Sequence, residues 1–310
     1  MCGTVDKILM KQQGVALITA LLVVALVTTL SVAWMTRQEL IIRRTANLLH
    51  HDQAYFYSLG GEAWARLLLQ RDDLAIDSLK ENWAMRLPVM PIDGGTLQGE
   101  LNDLQGRFNL NNLLTDSGEV SQADVARLER LLLALEVSPI LVQTIVDWLD
   151  RDATPQLPNG AEDTFYLGQK PSYRAANRLM VDPNELRAVA GVTPEIFETL
   201  RPYITALPKR TLLNVNTASL PLLRTVAPEV TQAEAETLIA LRETEPFVSV
   251  QAFAKQDALA GHRVEMDNLS VTSQYFLYLG EAHIDRGSAR LQSVLQREGN
   301  QVIVLARSQE

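Results

Sequence analysis

Apolar and polar positions follow three different rhythms along this chain. From residue 15 to residue 35 there is no alternation at all: VALITALLVVALVTTLSVAWM is 21 residues without a charge. At 1.5 Å per residue a helix of that length spans about 30 Å, the thickness of bilayer hydrocarbon. Beyond it the rhythm becomes helical. Ile41, Leu48, Tyr55, Leu59, Ala63 and Leu67 recur at sevens and fours, one face of an amphipathic helix. No proline interrupts residues 15–87, and the first glycines after the apolar run are Gly60 and Gly61. The pattern predicts one helix from about 15 to 70, about 80 Å long; a kink at Gly60–Gly61 is the alternative.

The third rhythm is short and two-residue. GTLQGELNDLQGRFNL at 95–110 and the closing segments NLSVTSQYFLYLGEAHI, SARLQSVLQRE and QVIVLARS predict strands punctuated by turns. Between these β regions, roughly 117–266, the pattern is helical, which predicts a helical insertion within one sheet domain. The insertion repeats itself. LALEVSPILVQTIVDWL, AVAGVTPEIFETLRPYI and VAPEVTQAEAETLIALR align on a turn after Val137, Val192 and Val230. Ser138, Thr193 or Thr231 follows as a helix cap, Pro139 and Pro194 stand at first helical positions, and Thr231 with Glu234 has a capping-box spacing.

Composition narrows function. The 310 residues suffice for one large or two modest domains. A net charge of −9 gives no general attraction to nucleic acid or anionic lipid. The lone cysteine, Cys2, excludes an internal disulfide. The apolar run is longer than the roughly 7–15 residues of a signal-peptide core and continues into WMTRQELIIRR without a cleavage site on its far side. Lys7 and Lys11 precede it and Arg37, Arg43 and Arg44 follow, so flanking charge does not orient it.

Candidate chemistry concentrates in WLDRDATPQLPNGAEDTFY, where Asp147, Asp150, Asp152, Glu162 and Asp163 flank a loop marked by Pro155, Pro158, Asn159 and Gly160. Carboxylates without His or Cys suit Ca²⁺, which takes six to eight oxygens in loose geometry, although the spacing is not that of an EF-hand. The competing reading is a solvated loop, with Asp147 and Asp150 paired to Arg151 or Arg174. Asp103 is a weaker candidate ligand. No catalytic constellation is found: His50 and His51 diverge on a helix, His262 and His283 are isolated, and neither G-x-S-x-G nor H-E-x-x-H occurs.

The leader KQQG before the apolar helix resembles that of type IV pilin-like precursors. That resemblance implies cutting between Gly14 and Val15 by a prepilin peptidase, a retained helix, methylation of the new N-terminus, and a leader in the cytoplasm with the bulk in the periplasm. Val15 departs from the usual Phe, and Thr19 stands where the class has Glu. A buried carboxylate costs a few kcal/mol in hydrocarbon and pairs with a neighbour's N-terminal ammonium. Thr19 offers no such charge, which suits a subunit with nothing beyond it; alternatively Thr19 bonds its own backbone.

LQGRFNLNNLL at 104–114, VDWLDRDATPQLPNGAEDTFYL at 146–167, LLNVNTASLPLL at 212–223 and YFLYLGEAHI near the C-terminus together resemble the type II secretion protein K family, the large minor pseudopilins. The implied fold is α+β, a long N-terminal helix packed on a small antiparallel sheet with a large all-α insertion of helix–turn–helix units. Its parts are a leader (1–14), a transmembrane helix (15–35), the periplasmic helix with first strands (36–116), the insertion (117–266) and the last strands (267–310). The resemblance also implies calcium in the insertion. Its implied partners are relatives of the I and J minor pseudopilins and an H-like one, the major pseudopilin, the prepilin peptidase, the inner membrane and secreted cargo. Ile41, Leu48 and Tyr55 are expected to touch partner helices. The implied role is that of a tip subunit that starts the pseudopilus and limits its length, with no enzymatic activity. The runner-up is a membrane-anchored periplasmic nucleic-acid receptor, because LNVNTASLPLLRTVAPEV resembles helix-hairpin-helix modules. Those need hairpin glycines to approach phosphate, and Ala-Pro-Glu-Val stands there instead.

Overall fold

A computed structural model describes the backbone of residues 5–309 and the side chains of residues 15–309. Residues 1–4 of the expected leader lie outside the described residues, and of residues 5–14 only the helical backbone is described. Helix α1 runs Val5–Arg71 without a break, so it begins earlier than expected and passes straight through Gly60–Gly61. Every residue from 15 to 45 is exposed, as a helix with no partner in its own subunit must be.

The distal part of α1 lies on a five-stranded antiparallel sheet. Its strands are β1 (Leu87–Ile92), β2 (Gly95–Asp103), β7 (Tyr275–Ile284), β8 (Gly287–Glu298) and β9 (Gln301–Gln309), in spatial order β1-β2-β7-β8-β9. One residue in two faces the helix: Leu97, Gly99 and Leu101 from β2, Phe276, Tyr278 and Ala282 from β7, Ala289, Leu291 and Leu295 from β8. The helix does not meet them with the expected stripe. Its buried face is Ala54, Ser58, Gly61, Glu62, Ala65 and Leu69, whereas Ile41 and Leu48 are 54% and 60% exposed, Ala63 and Leu67 are exposed, and Tyr55 and Leu59 are only half-buried. The reason is volume. Large aromatic residues already project from the sheet, so small residues on the helix let the two backbones approach, and the large apolar side chains are left outward.

Tyr278 shows how tight this is. Its hydroxyl donates to the Ser58 carbonyl at 3.2 Å, and a Cβ on Gly61 or Gly280 would overlap its phenol ring. Glu62 is buried beside it, accepting from Ser293 Oγ at 2.6 Å and from both arms of Arg307 at 2.7 and 2.8 Å.

The chain leaves the sheet at Asp103 and returns at Tyr275. Expected strand residues 108–110 do not join that sheet: β3 (Phe108–Asn109) pairs in parallel with β4 (Ile204–Thr205) inside the insertion. Buried Asn109 and Asn111 act there as polar ties, Asn111 donating to the Met180 and Leu207 carbonyls, both at 2.9 Å. A second small pair, β5 (Leu213–Asn214) with β6 (Leu269–Ser270), closes the insertion near the sheet. Its helices are α2 (Gln122–Ala134), α3 (Leu141–Leu149), α4 (Asp163–Tyr166), α5 (Pro194–Leu200), α6 (Leu220–Leu223), α7 (Gln232–Thr244) and α8 (Val250–Ala254). They enclose a core of their own that includes Leu131, Ile145, Tyr166, Phe197, Leu222 and Leu238.

The repeated turn is real and has a common backbone. Glu136, Gly191 and Glu229, each just before the repeated valine, adopt left-handed φ values of 59°, 82° and 63°. Thr193 and Thr231 cap α5 and α7, the latter in a full capping box with Glu234. Ser138 does not cap α3; its carbonyl accepts from Leu141 N in a tight preceding turn.

The adjacent glycines of α1 give a paired prediction. A Cβ on Gly60 meets nothing within 4 Å, so Gly60→Ala should raise stability by about 0.5–1 kcal/mol through helix propensity. Gly61→Val should lower it by about 1–3 kcal/mol through overpacking against Tyr278. Equilibrium unfolding of both variants checks this, and equal shifts of the same sign would contradict the packing described.

Candidate metal centre

Apolar residues first place the acidic loop. Helix α3 buries Leu141, Val142, Ile145, Val146 and Leu149 in the insertion core, which turns Asp147 in its last turn toward the loop and leaves Asp150 as its C-cap. At the far end of the loop Glu162 is the N-cap residue of α4, and Tyr166 of that helix is fully buried. Trp148 and Tyr166 meet edge to face, ring centroids 5.2 Å apart, so the two ends of the loop are clamped together. The Tyr166 hydroxyl accepts from Ala190 N at 3.2 Å.

Inside the loop, Asp147 accepts from Gln156 N at 3.0 Å, and the Gln156 carbonyl accepts from Gly160 N at 2.6 Å. A side chain at Gly160 would overlap Asp147 and the Gln156 backbone, so this position requires glycine. The fold brings three of the five expected acids into a common focus: single carboxylate oxygens of Asp150, Asp152 and Glu162 lie within 4.8 Å of one another. Asp147 stands behind them with its oxygens held by the loop backbone. Asp163 is elsewhere, accepting from Ala175 N at 3.1 Å and lying 3.8 Å from Arg174.

The electrostatics are those of an incomplete site. Asp150 and Glu162 are each 4% exposed, and none of their four side-chain oxygens has a hydrogen-bond partner. Desolvation, then repulsion from Asp152 and Asp147, pushes Asp150 up to about 6. Desolvation, then repulsion from Asp147, Asp150 and Asp152, pushes Glu162 up to about 7. The competing reading, in which Asp147 and Asp150 pair with Arg151 or Arg174, is not met: Arg174 lies beside Asp163 instead. Buried carboxylates left unpaired are costly, and this donor set, all oxygen and partly preorganised, fits a hard cation such as Ca²⁺ with backbone carbonyls and water completing its shell.

Asp103, the weaker candidate, is not among the acids that gather in the loop. It is buried and fully used, accepting from Ser273 Oγ at 2.6 Å, Gln105 N at 2.7 Å, Asn214 Nδ2 at 3.1 Å, and Thr217 Oγ1. A second acidic group, Asp72, Asp77 and Glu81, also has carboxylate oxygens within 4.8 Å of one another. Arg297 fills it, donating to Asp72 at 3.0 Å and to Asp77 at 2.6 Å. Nothing in the local sequence marks this group, because its counter-ion arrives from the far end of the chain.

On α1, Thr19 Oγ1 donates to the Val15 and Ala16 carbonyls at 3.1 and 2.9 Å, satisfying itself within the helix. Gly14 and Val15 are consecutive residues of the same unbroken helix. In the α6–α7 hairpin, Pro228 and Glu229 are exposed, so the tip presents an acid where a phosphate-binding hairpin presents glycine N–H groups.

The architecture has known counterparts. Profiles of the family described as type II secretion system (T2SS), protein K match residues 106–209 and 213–272. Type II secretion system protein K of Pseudomonas aeruginosa is 39% identical over 96% of this chain and 92% of its own length. That of Klebsiella pneumoniae is 35% identical over 96% of both chains. Among solved structures, one chain from the GspK-GspI-GspJ complex of the enterotoxigenic Escherichia coli type 2 secretion system superposes with a TM-score of 0.75 at 25% identity, covering 86% of this chain and 99% of that one. With its long helix, interrupted antiparallel sheet and helical insertion, the chain belongs to the type II secretion system protein K family.

Proposed function

We propose that this protein is the minor pseudopilin at the tip of a type II secretion pseudopilus, where it starts assembly with partners like the I and J subunits and limits further growth. The observation that carries this reading is α1. Residues 15–35 of it are uncharged and uncovered, and further along it keeps a large-residue face, Ile41, Leu48, Leu49 and Phe56, exposed. A helix built this way has membrane lipid for one environment and other helices for the next. Phe56 is 68% exposed on that face. The similar solved chain is itself held in a complex with I and J subunits, which supports those partners for this one. An H-like subunit, the major pseudopilin, the prepilin peptidase and secreted cargo complete the proposed set.

Processing follows from the leader. Removal of residues 1–14 by a prepilin peptidase leaves Val15 as the mature, methylated N-terminus, with the leader cytoplasmic, the helix in the inner membrane and the bulk periplasmic. Thr19 then supports terminal placement: its hydroxyl is spent on its own helix, so the subunit has no carboxylate with which to hold the ammonium of another. The insertion, larger than the sheet that carries it, supports a capping role by bulk alone. In the acidic loop a structural Ca²⁺ would be held by Asp150, Asp152 and Glu162, with Asp147 behind them, supplying the positive charge that the fold itself lacks there.

Two outcomes are expected. Gly14→Ala should leave an uncut precursor in membranes and abolish secretion; N-terminal sequencing of the wild-type protein should begin at Val15, and a start at Met1 would sink the leader reading. Thermal melts in excess Ca²⁺ and in EGTA should differ, and the difference should depend on pH. Asp150 and Glu162 have folded values raised above the ordinary 3.8 and 4.5, so the metal-free folded state binds extra protons between pH about 4 and about 7. Its stability therefore falls as pH rises through that window. Ca²⁺ binding requires the ionised carboxylates, so the calcium-dependent rise in Tm should be largest near pH about 7.5 and fade toward about 5. Identical melts at both ends of that range would remove the calcium.

A further inference from the structure

The acidic loop has a second side of opposite sign. Arg151 lies in sequence between Asp150 and Asp152, yet it makes no ion pair with either and lines a pocket of about 280 Å³. Arg178, Lys209 and Arg210 line the same pocket, and Asp116 is its one acidic side chain. This is a local excess of positive charge on a chain whose net charge is −9.

The four cations are not equivalent. Arg210 is fixed by the carbonyls of Asn112 and Leu114 at 2.6 and 2.9 Å and by Asp124 at 2.7 Å. Arg178 leans on the Leu179 carbonyl at 2.9 Å and on Glu185 at 3.2 Å. Among the described residues, Arg151 and Lys209 have no side-chain hydrogen bond or ion pair. Two held cations and two free ones around a concavity form a receptor for anionic oxygen, and arginine's fork favours carboxylate or phosphate. The hydroxyls of Thr115 and Ser117 supply neutral donors at the rim.

We propose that this pocket receives a carboxylate-bearing extended segment of another periplasmic protein, with an affinity set by the cation in the adjoining acidic loop. The coupling part rests on the calcium reading above. A protein segment is favoured over a lipid surface by position. The insertion joins the sheet where α1 ends, beside Asp72 and Asp77, and residue 71 is about 54 Å along the helix from residue 35. At a Debye length of about 8 Å the anionic surface of the inner membrane is not felt there. The coupling follows from the alternation Asp150-Arg151-Asp152. Without a cation, the field of three neighbouring carboxylates opposes the approach of a further carboxylate to Arg151. A bound cation cancels that field. Linkage then requires that the acidic segment tighten the cation in return.

The test uses the full-length protein in a neutral detergent and fluorescence anisotropy of a labelled peptide, acetyl-Glu-Leu-Glu-Glu-Leu-Glu-amide. In excess Ca²⁺ the peptide should bind. Its all-Gln counterpart, or the protein carrying Arg151→Gln with Lys209→Gln, should bind at least about tenfold more weakly. EGTA should weaken the wild-type protein by about fivefold or more, the lower range of ordinary coupling. Equal binding of the Gln peptide, or undiminished binding to the double variant, overturns the pocket. Binding to phosphatidylglycerol vesicles but not to the peptide overturns it in favour of lipid. Elemental analysis separates the two layers. Metal bound with no effect of EGTA on peptide affinity overturns the coupling alone. Absence of metal overturns the calcium reading, and the peptide and variant arms still decide the pocket.

Discussion

The buried cluster around Arg297 is the interaction on which the two halves of this molecule depend. Arg297 comes from β8, Asp72 and Asp77 from the segment just after α1, Asp103 from the end of β2, and Asn214 and Ser273 from the closing end of the insertion. Arg297 donates to Asp77 and to the Ser273 carbonyl, Ser273 N donates to Asp77, and Asn214 Nδ2 donates to Asp103 and to the Asp77 carbonyl. In an apolar setting such groups are tolerated only when every one is satisfied. The geometry that satisfies them all is also the one that fixes where the insertion leaves and re-enters the sheet. Apolar packing alone would hold the insertion near the sheet but would not specify its orientation.

What was legible in the sequence divides along this line. The membrane-compatible helix, the strand segments, the turn repeats and the acidic loop are written in local patterns, and each appears where local chemistry places it. The buried helix face is not legible there, because periodicity records where large apolar residues lie. The sheet selects for fit: Tyr278 leaves no room for a side chain at Gly61, Ala65 packs with Phe276 and Tyr278, Ala54 packs with Ala282 and Ala289, and size complementarity outranks hydrophobicity at that interface. Strand β3 was misplaced because a two-residue pairing carries no rhythm. In the acidic loop the density of Asp and Glu marked the place, but only the fold separates Asp150, Asp152 and Glu162 from Asp163, whose partners Ala175 and Arg174 lie further along the chain. The Arg297 cluster was invisible, since its members come from five separate stretches of sequence.

The two acidic groups make an instructive contrast. Both gather three carboxylates to within the same distance. One contains a guanidinium and knits the fold together; the other contains no basic side chain and is left electrostatically open. Acid density by itself therefore does not distinguish a structural cross-link from a ligand site. What distinguishes them is whether the chain supplies its own counter-charge.

The latch between Glu62 and Arg307, together with Arg66 on the Val302 carbonyl at 2.8 Å, joins the first helix to the final strand. This dictates an order of events during synthesis. The helix is made before the strands that cover most of its small-residue face. The insertion, with a core of its own, comes next in the chain. The sheet itself cannot close until the last residues arrive, because β7, β8 and β9 all lie at the C-terminal end. The contacts that fix α1 on its sheet therefore join residues separated by the whole of the insertion.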